Sequence, residues 1–117
     1  MTRHLEGRRL KHPSSEYQEL LIGLVRLHVL HHAALSPVFG LGIIAELSRH
    51  GYRLGPGTIY PLLRSLERRG WLKSEVSHTD LGRRRICYTA TRSGRIALDA
   101  TRSKVEELHR ELFSSKR

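Results

Sequence analysis

The chain has 117 residues, which suffices for one folded domain but not for a second hydrophobic core. Its 21 lysines and arginines against 11 acidic residues give a formal net charge of +10, which favours a polyanionic partner: nucleic acid most commonly, or an anionic membrane surface. No apolar run approaches the roughly 20 residues of a membrane span, no signal peptide is evident, and one cysteine excludes an internal disulfide framework. We therefore expect a cytoplasmic protein.

The N-terminal part predicts a tail and a helix. Residues 1–13 are basic and lack apolar periodicity, which predicts a flexible arm, either dispensable or contacting phosphates. A first helix is predicted from Ser15, which can cap it with Gln18 three residues on, to about Ala34. Its apolar residues occupy two sides: Leu20, Leu21, Leu24 and Leu27 on one, and Ile22, Val25 and Val29 on the other. Such a helix needs cover from two directions, and a second subunit is the natural second cover.

The chain then breaks at Ser36-Pro37, and a second helix is predicted from about Phe39 to His50, where Gly51 ends it. Its apolar side consists of Ile43, Ile44 and Leu47.

Residues 57–69 predict a short helix with two contrasting faces. Ile59, Leu63 and Leu66 share the inner face. The outer side carries Gly57, Pro61, Arg64 and Arg68, flanked by Thr58 and Tyr60. A helix that buries aliphatic residues and presents arginine, threonine and tyrosine suits a DNA major groove, although an ordinary solvated helix would also expose arginines. Pro61 is predicted near the first turn, where a missing N–H costs little.

Two short β-like segments follow, residues 71–76 and 84–90, joined by a loop over residues 77–83. In the second segment Ile86, Tyr88 and Ala90 alternate with Arg85, Cys87 and Thr89, as in a half-exposed strand. Cys87 is therefore predicted to be a strand residue, with redox sensing as its alternative role. The hairpin carries three arginines near its tip: Arg83, Arg84 and Arg85. Helices followed by a hairpin predict a winged helix-turn-helix, in which the wing arginines contact phosphates or the minor groove.

A last helix is predicted from Thr91 to about Phe113, with a seam of regularly spaced residues: Leu98, Thr101, Val105, Leu108 and Leu112. The seam either completes a core within the chain or pairs two chains. We favour the dimer, and we expect Leu24 of the first helix to take part in the dimer contact. The reason is that the seam is longer than the surface that a three-helix core can cover. The predicted fold is mostly α with a small β-hairpin: a flexible basic arm (1–13), a winged helix-turn-helix DNA-binding domain (14–90) and a C-terminal dimerisation helix (91–117).

Four segments together resemble the PadR family of transcriptional regulators: Phe39-Gly-Leu-Gly-Ile, the run PGTIYPLLRSLERRGWL at residues 56–72, Arg84-Arg85 before Tyr88, and Thr91-Arg-Ser-Gly94. The resemblance covers about residues 18–113 and is closest to compact members with one C-terminal helix. It implies a homodimeric, usually repressive regulator of double-stranded operator DNA, whose last helix packs with the first across the dimer. It also assigns Thr58, Tyr60 and Arg64 to the major groove, and Arg84 and Arg85 to the wing.

The chain departs from the family pattern at three positions. Gly55 replaces a capping serine, which weakens that cap by a few tenths of a kcal/mol, and Leu41 and Gly42 replace a tyrosine and an acidic residue. Many compact relatives accept flat aromatic molecules on an aromatic of the last helix. Here the single tryptophan, Trp71, begins the hairpin, where a core role is expected, so stacking of that kind is not predicted.

Histidine is abundant, with eight residues in the chain. His28 and His32 are four apart on the first helix, so both imidazoles could meet one ion, and His31 is close by. His109, with Glu106 one turn away, could complete a site for Zn²⁺ or a similar cation if the first and last helices pack together. The alternative is that these histidines are surface or interface residues partly satisfied by hydrogen bonds. A further alternative is that interface histidines make dimerisation pH-sensitive.

The chain shows no Gly-rich phosphate loop, paired-carboxylate motif or nucleophile elbow, so we do not expect an enzyme. The expected function is a sequence-specific, homodimeric transcriptional repressor that needs no cofactor and is released or modulated by a small effector, either a divalent metal or an aromatic molecule. Two alternatives stay open: a metal-responsive regulator using interface histidines, and a non-specific binder of polyanions or membrane surfaces.

Overall fold

The computed structural model describes residues 17–114. The predicted basic arm and the Ser15 cap lie outside the described residues. Within these residues the chain forms four helices and a three-stranded antiparallel sheet, in the order α1 (Gln18–Leu35), β1 (Val38–Phe39), α2 (Gly40–Arg49), α3 (Pro56–Arg68), β2 (Leu72–His78), β3 (Arg84–Ala90) and α4 (Arg92–Leu112). The helices and the hairpin predicted from the sequence are confirmed, with ends that differ by a few residues.

The core lies where the first three helices converge on the base of the sheet. The side chains of Val29, Leu47, Ile59, Leu63 and Leu66 are fully buried there. On α1 the buried side is the one that carries Val25 and Val29, whereas Leu20 and Leu24 on the other side are exposed. The chain itself therefore covers one of the two apolar sides of α1.

Strand β1 has no counterpart in the sequence prediction. It has two residues, too few for an alternating pattern, and it forms because it pairs with the middle strand: Val38 lies opposite Tyr88 and Phe39 opposite Cys87. The sheet order is β1-β3-β2, so β3 is hydrogen-bonded on both edges. This pairing fixes the start of α2 to the base of the wing.

The predicted alternation along β3 is wrong at two positions. Cys87 is buried at 7% exposure, whereas Ile86 is 36% exposed. Cys87 pairs with Phe39 of β1, and the side chains of paired residues lie on the same face of a sheet, so Phe39 is the neighbour of Cys87 on the face predicted to be open. Ile86 pairs with Val76, which is also exposed.

Helix α4 is attached at its start by a cap and by close packing. The Thr91 hydroxyl donates to the carbonyl of Gly70, and its oxygen accepts a bond of 3.0 Å from the Gly94 N–H. A Cβ at Gly94 would overlap the carbonyl oxygen of Trp71, so only glycine allows this approach. Arg95 adds a 3.0 Å bond from Nη1 to the carbonyl of Ala34 near the end of α1.

Beyond this attachment α4 is largely uncovered. Of the residues in Arg92–Leu112, Gly94 alone is buried, and Val105, Leu108 and Leu112 are 44–59% exposed. None of the helices within residues 17–114 is long and apolar enough to cross a lipid bilayer.

Candidate nucleic-acid interface

The two faces of α3 are separated as the sequence predicts. Ile59, Leu63 and Leu66 are fully buried, and Leu62, which lies outside the predicted set, joins them at 5% exposure. The opposite side is open to solvent along the whole helix; its exposed residues are Gly57, Pro61, Arg64 and Arg68. Burial of the aliphatic side chains fixes α3 on the core, and the opposite face of the helix is accessible to a ligand.

The N-terminus of α3 is assembled from backbone alone. Gly55 is the N-cap, and its carbonyl accepts bonds from the N–H groups of Thr58 and Ile59 at 3.1 and 3.0 Å. Because the helix begins at Pro56, Pro61 is its sixth residue and lies inside the helix rather than near the first turn, which corrects the sequence prediction. It removes the bond that an N–H at that position would donate to the carbonyl of Gly57. Because Gly57 has no Cβ, the helix backbone itself is exposed at this part of the surface.

Tyr60 is half-buried and packs against the core, with its ring over the backbone of Gly40, the first residue of α2. The ring therefore joins the two helices of the helix-turn-helix, a contact that sequence reasoning missed. Thr58, on the flank of the face that carries Arg64, is half-buried as well.

Beneath Arg64, the hydroxyl of Tyr88 lies in a charged environment. Burial, and after it the carboxylate of Glu67, raises the pKa of Tyr88, whereas the guanidinium of Arg64 opposes the rise. Glu67 also accepts a 2.7 Å bond from the Ser74 hydroxyl, which ties α3 to β2. The exposed side of α3 is thus held in a fixed position relative to the wing.

The wing is the hairpin of β2 and β3. Its tip is closed by Thr79, whose N–H donates to the carbonyl of Arg83 at 2.8 Å and whose carbonyl accepts from Gly82 at 2.8 Å. The Thr79 hydroxyl also accepts a bond from the Arg83 N–H. These bonds order the loop that carries the first of the three arginines.

The three wing arginines are all exposed but do not share one side. Arg83 and Arg85 line the same shallow depression near the tip, whereas Arg84, next to Arg85 on β3, projects to the opposite face because side chains alternate along a strand. The guanidinium carbon of Arg85 lies 3.6 Å from the ring centroid of Phe39, a cation–π contact. Arg85 therefore has a structural partner as well as an exposed charge.

These surfaces lie in the segment that carries most of the net positive charge of the chain. Residues 53–95 contain ten basic and three acidic residues, a net charge of +7. A strongly positive surface raises the local concentration of polyanions and accelerates their association. Arginine guanidinium groups, with five donors in a planar fork, bind phosphate oxygens and the edge of guanine.

The predicted dimerisation residues lie along an open groove between α1 and α4. The groove has a volume of about 480 Å³, and Leu24, Leu98 and Val105 line it together with His28 and His109. Leu108 and Leu112, also predicted to be in the dimer contact, are exposed further along α4. A lone chain leaves this apolar surface in water.

One of the predicted metal ligands does not join the other two. His28, His32 and His50 have potential ligand atoms within 4.8 Å of one another. His109 is outside this cluster; it lines the groove together with His28 and Glu106 and contacts the ring of Phe113. Within one chain, the third imidazole beside His28 and His32 is thus His50, which sequence spacing could not identify because it follows a different helix.

Trp71 is half-buried against the core, as expected, with the guanidinium of Arg69 5.6 Å from its ring centroid. Trp71 therefore packs against the core, and the last helix carries no tryptophan on which a flat aromatic effector could stack.

Comparison with known proteins gives consistent matches. The family model described as "Transcriptional regulator PadR-like family" matches residues 29–100. Transcriptional regulator Rv3488 of Mycobacterium tuberculosis is 54% identical over 89 residues, covering 76% of this chain and 82% of that protein. A PadR family transcriptional regulator from Eggerthella lenta superposes with a TM-score of 0.72 at 28% identity, covering 88% of this chain and 93% of that one. A PadR-like transcriptional regulator from Bacillus cereus, at 22% identity, has the same fold, with a TM-score of 0.73 and coverage of 84% and 99%.

The segment matched by the family model contains all of α2, α3 and the wing. The mostly helical architecture with a small antiparallel sheet is the winged helix of the matched structures. The chain belongs to the PadR-like family of transcriptional regulators.

Proposed function

We propose that the protein is a homodimeric repressor that inserts α3 of each subunit into the major groove of double-stranded operator DNA. The observation that carries this proposal is the separation of faces on α3, where four aliphatic side chains are buried and Arg64 and Arg68 are exposed. A helix docked in this way presents its side chains to base edges, whereas phosphate contacts set its position. In this arrangement Arg64, near the centre of the exposed face, contacts a base, and Arg83, Arg84 and Arg85 of the wing contact phosphates.

The exposed flank of α3 contributes shape as well as charge. Gly57 and Pro61 bring the helix backbone close to the DNA, with Thr58 and Tyr60 at the edge of the contact. Because the Cε1, Cζ and hydroxyl atoms of Tyr60 pack on Gly40, the remaining part of this half-buried ring is what is left to contact DNA. Arg68, one turn after Arg64, meets the backbone at the rim of the groove.

The dimer contact is assigned to residues 91–117 and to the outer side of α1, with residues 14–90 forming the DNA-binding domain. Support comes from Leu24, Val105, Leu108 and Leu112, which are 44–59% exposed, so that burying the rest of each side chain would contribute roughly 1 kcal/mol. The second copy is the natural occupant, because the same seam on two chains is self-complementary under twofold symmetry. Pairing sets the distance between the two copies of α3, and so the spacing of the half-sites.

A small effector is proposed to act at the groove between α1 and α4. Its volume of about 480 Å³ lies in the range of small-molecule sites, and its apolar walls carry a few polar groups, among them Thr101 and Glu106. Because α4 also carries the dimer seam, an occupant would change the relation of the two subunits. Coupling of about 1–3 kcal/mol between effector and DNA would suffice for release.

Selection of bound sequences from a random DNA pool tests this function. A dimeric regulator enriches an inverted repeat whose half-sites are about one helical turn apart. A binder of polyanions or membrane surfaces retains DNA with a similar salt dependence but enriches no sequence, and this outcome would refute the proposal.

A further inference from the structure

We propose that His28 and His32 of α1, together with Glu46 of α2 and His50 immediately after it, form a binding site for Zn²⁺ or a similar divalent cation within a single chain. The site is separate from the predicted α3 and wing contacts. It shares His28 and His32 with the set predicted from the sequence, but His50 and Glu46 take the place of His109.

The ligand atoms already converge. His28 and His32 are four residues apart on α1 and project from the same side, and the end of α2 brings His50 to them. The His28 ring centroid is 5.0 Å from that of His50 and 6.4 Å from that of His32. Potential ligand atoms of the three imidazoles lie within 4.8 Å of one another. Around a tetrahedral Zn²⁺ they would be about 3.4 Å apart, so side-chain shifts of about 1 Å bring the three imidazoles to that spacing.

Glu46 supplies a fourth ligand of the right kind. Its Oε2 atom is 3.2 Å from Nε2 of His50 and 3.6 Å from Nε2 of His32, which is close to the ligand–ligand spacing around zinc. Three imidazoles and a carboxylate suit a borderline-soft divalent cation. Arg49 hydrogen-bonds the other carboxylate oxygen and orients the group, as partners of metal ligands commonly do.

A neighbouring aromatic ring supports the cluster. The ring of Tyr52 packs edge-on against His28 at 5.3 Å between centroids and covers one side of its imidazole. Metal binds imidazole in its neutral form, so binding of the ion should weaken as the pH falls.

The consequence is a link between two functional parts of the chain. α1 carries the predicted dimer surface and α2 is the first helix of the helix-turn-helix, so a bound ion would join them. The site needs one chain only, and it binds metal whether or not the proposed repressor function holds.

The test is a Zn²⁺ titration of the full chain without a polyhistidine tag, followed by competition with a chelating dye. We expect one high-affinity ion per chain. His50→Gln, which alters an exposed side chain outside the core, should weaken binding at least about 10-fold, as should His28→Gln and His32→Gln. Glu46→Gln should weaken it by about the same factor. Retained circular dichroism spectra identify folded variants.

Two matched histidine variants make the test specific. His31→Gln, adjacent to His32, and His109→Gln, on α4, should leave the affinity for Zn²⁺ unchanged. Loss of binding in His109→Gln with normal binding in His50→Gln would overturn the proposed ligand set. Absence of a 1:1 complex with the wild-type chain would overturn the site itself, and an unchanged affinity in Glu46→Gln would remove the carboxylate from it.

Discussion

The ring of Tyr60 on α3 lies so close to the backbone of Gly40 on α2 that a Cβ at Gly40 would overlap it. The two residues thus form the contact at which the helices of the helix-turn-helix cross. Tyr60 is assigned to the DNA face by family pattern, yet part of its surface serves this internal contact. Its position fixes the orientation of the helix that carries Arg64.

Gly40→Ala should destabilise the fold by about 1–3 kcal/mol, because the added methyl group forces the tyrosine ring out of its position. Tyr60→Ala removes the obstacle. The double variant should therefore be less destabilised than the sum of the two single variants, with a coupling of about 0.5–3 kcal/mol in urea unfolding. Additive effects would show that the two residues do not depend on each other.

Arg64→Ala should relax sequence preference at one position of each half-site, at a cost of about 1–3 kcal/mol for the preferred base. The measurement compares affinities for the selected operator and for single-base variants of it. Arg84→Ala is the control: it should weaken binding to all these sequences alike and reduce the salt dependence by about one phosphate contact. Equal losses across all sequences for Arg64→Ala would place Arg64 on the backbone instead.

Arg85→Ala should differ from Arg84→Ala in stability. Removing Arg85 deletes its stacking on Phe39, worth about 0.5–1 kcal/mol at an exposed site. Thermal unfolding of the two variants measures this difference in stability. In a Phe39→Leu background the two arginine variants should be equally stable. Equal stability of the two arginine variants would indicate that the Phe39 contact contributes nothing.

Leu108→Glu should convert the proposed dimer to a folded monomer, because it places a charge in the seam and leaves the core of the chain untouched. Sedimentation equilibrium gives the oligomeric state, and circular dichroism checks the fold. Ser103→Glu adds the same charge on the opposite side of α4 and should leave the dimer intact. A Leu108→Glu protein that sediments as wild type would exclude the α4 seam as the interface.

Acidification should weaken the fold through His28. Burial, with the nearby histidines adding to it, lowers the pKa of His28 below its ordinary value of 6.5. As pH falls below about 6.5 the unfolded chain binds the proton first, so the free energy of unfolding decreases with decreasing pH. In the presence of a chelator, His28→Gln should show a shallower decrease than the wild type between about pH 7.5 and 5. An identical slope for His28→Gln would contradict the lowered pKa.

Local patterns determine much of this structure, and long-range contacts determine the rest. The spacing of Ile59, Leu63 and Leu66 identifies the buried side of α3, and therefore its open side, because both follow from helix geometry. The alternation along β3 puts Cys87 on the exposed face, because nothing within that strand indicates the pairing with Phe39.

The candidate sites divide in the same way. The arginines of α3 and the wing lie within or next to the elements that carry them, so their exposure could be predicted. His50 could not be joined to His28 and His32, since their meeting depends on how α2 packs on α1. The Gly40–Tyr60 contact likewise depends on the crossing of two helices.

Affinity cleavage shows directly whether α3 enters the DNA groove. An iron chelate is attached to the new thiol of the Arg68→Cys variant, made in a Cys87→Ser background, and the labelled protein is bound to the selected operator. Cleavage is predicted in two clusters, one in each half-site, about 34–36 Å apart along the DNA axis. Cleavage in a single cluster, or spread evenly along the duplex, would contradict a paired recognition helix.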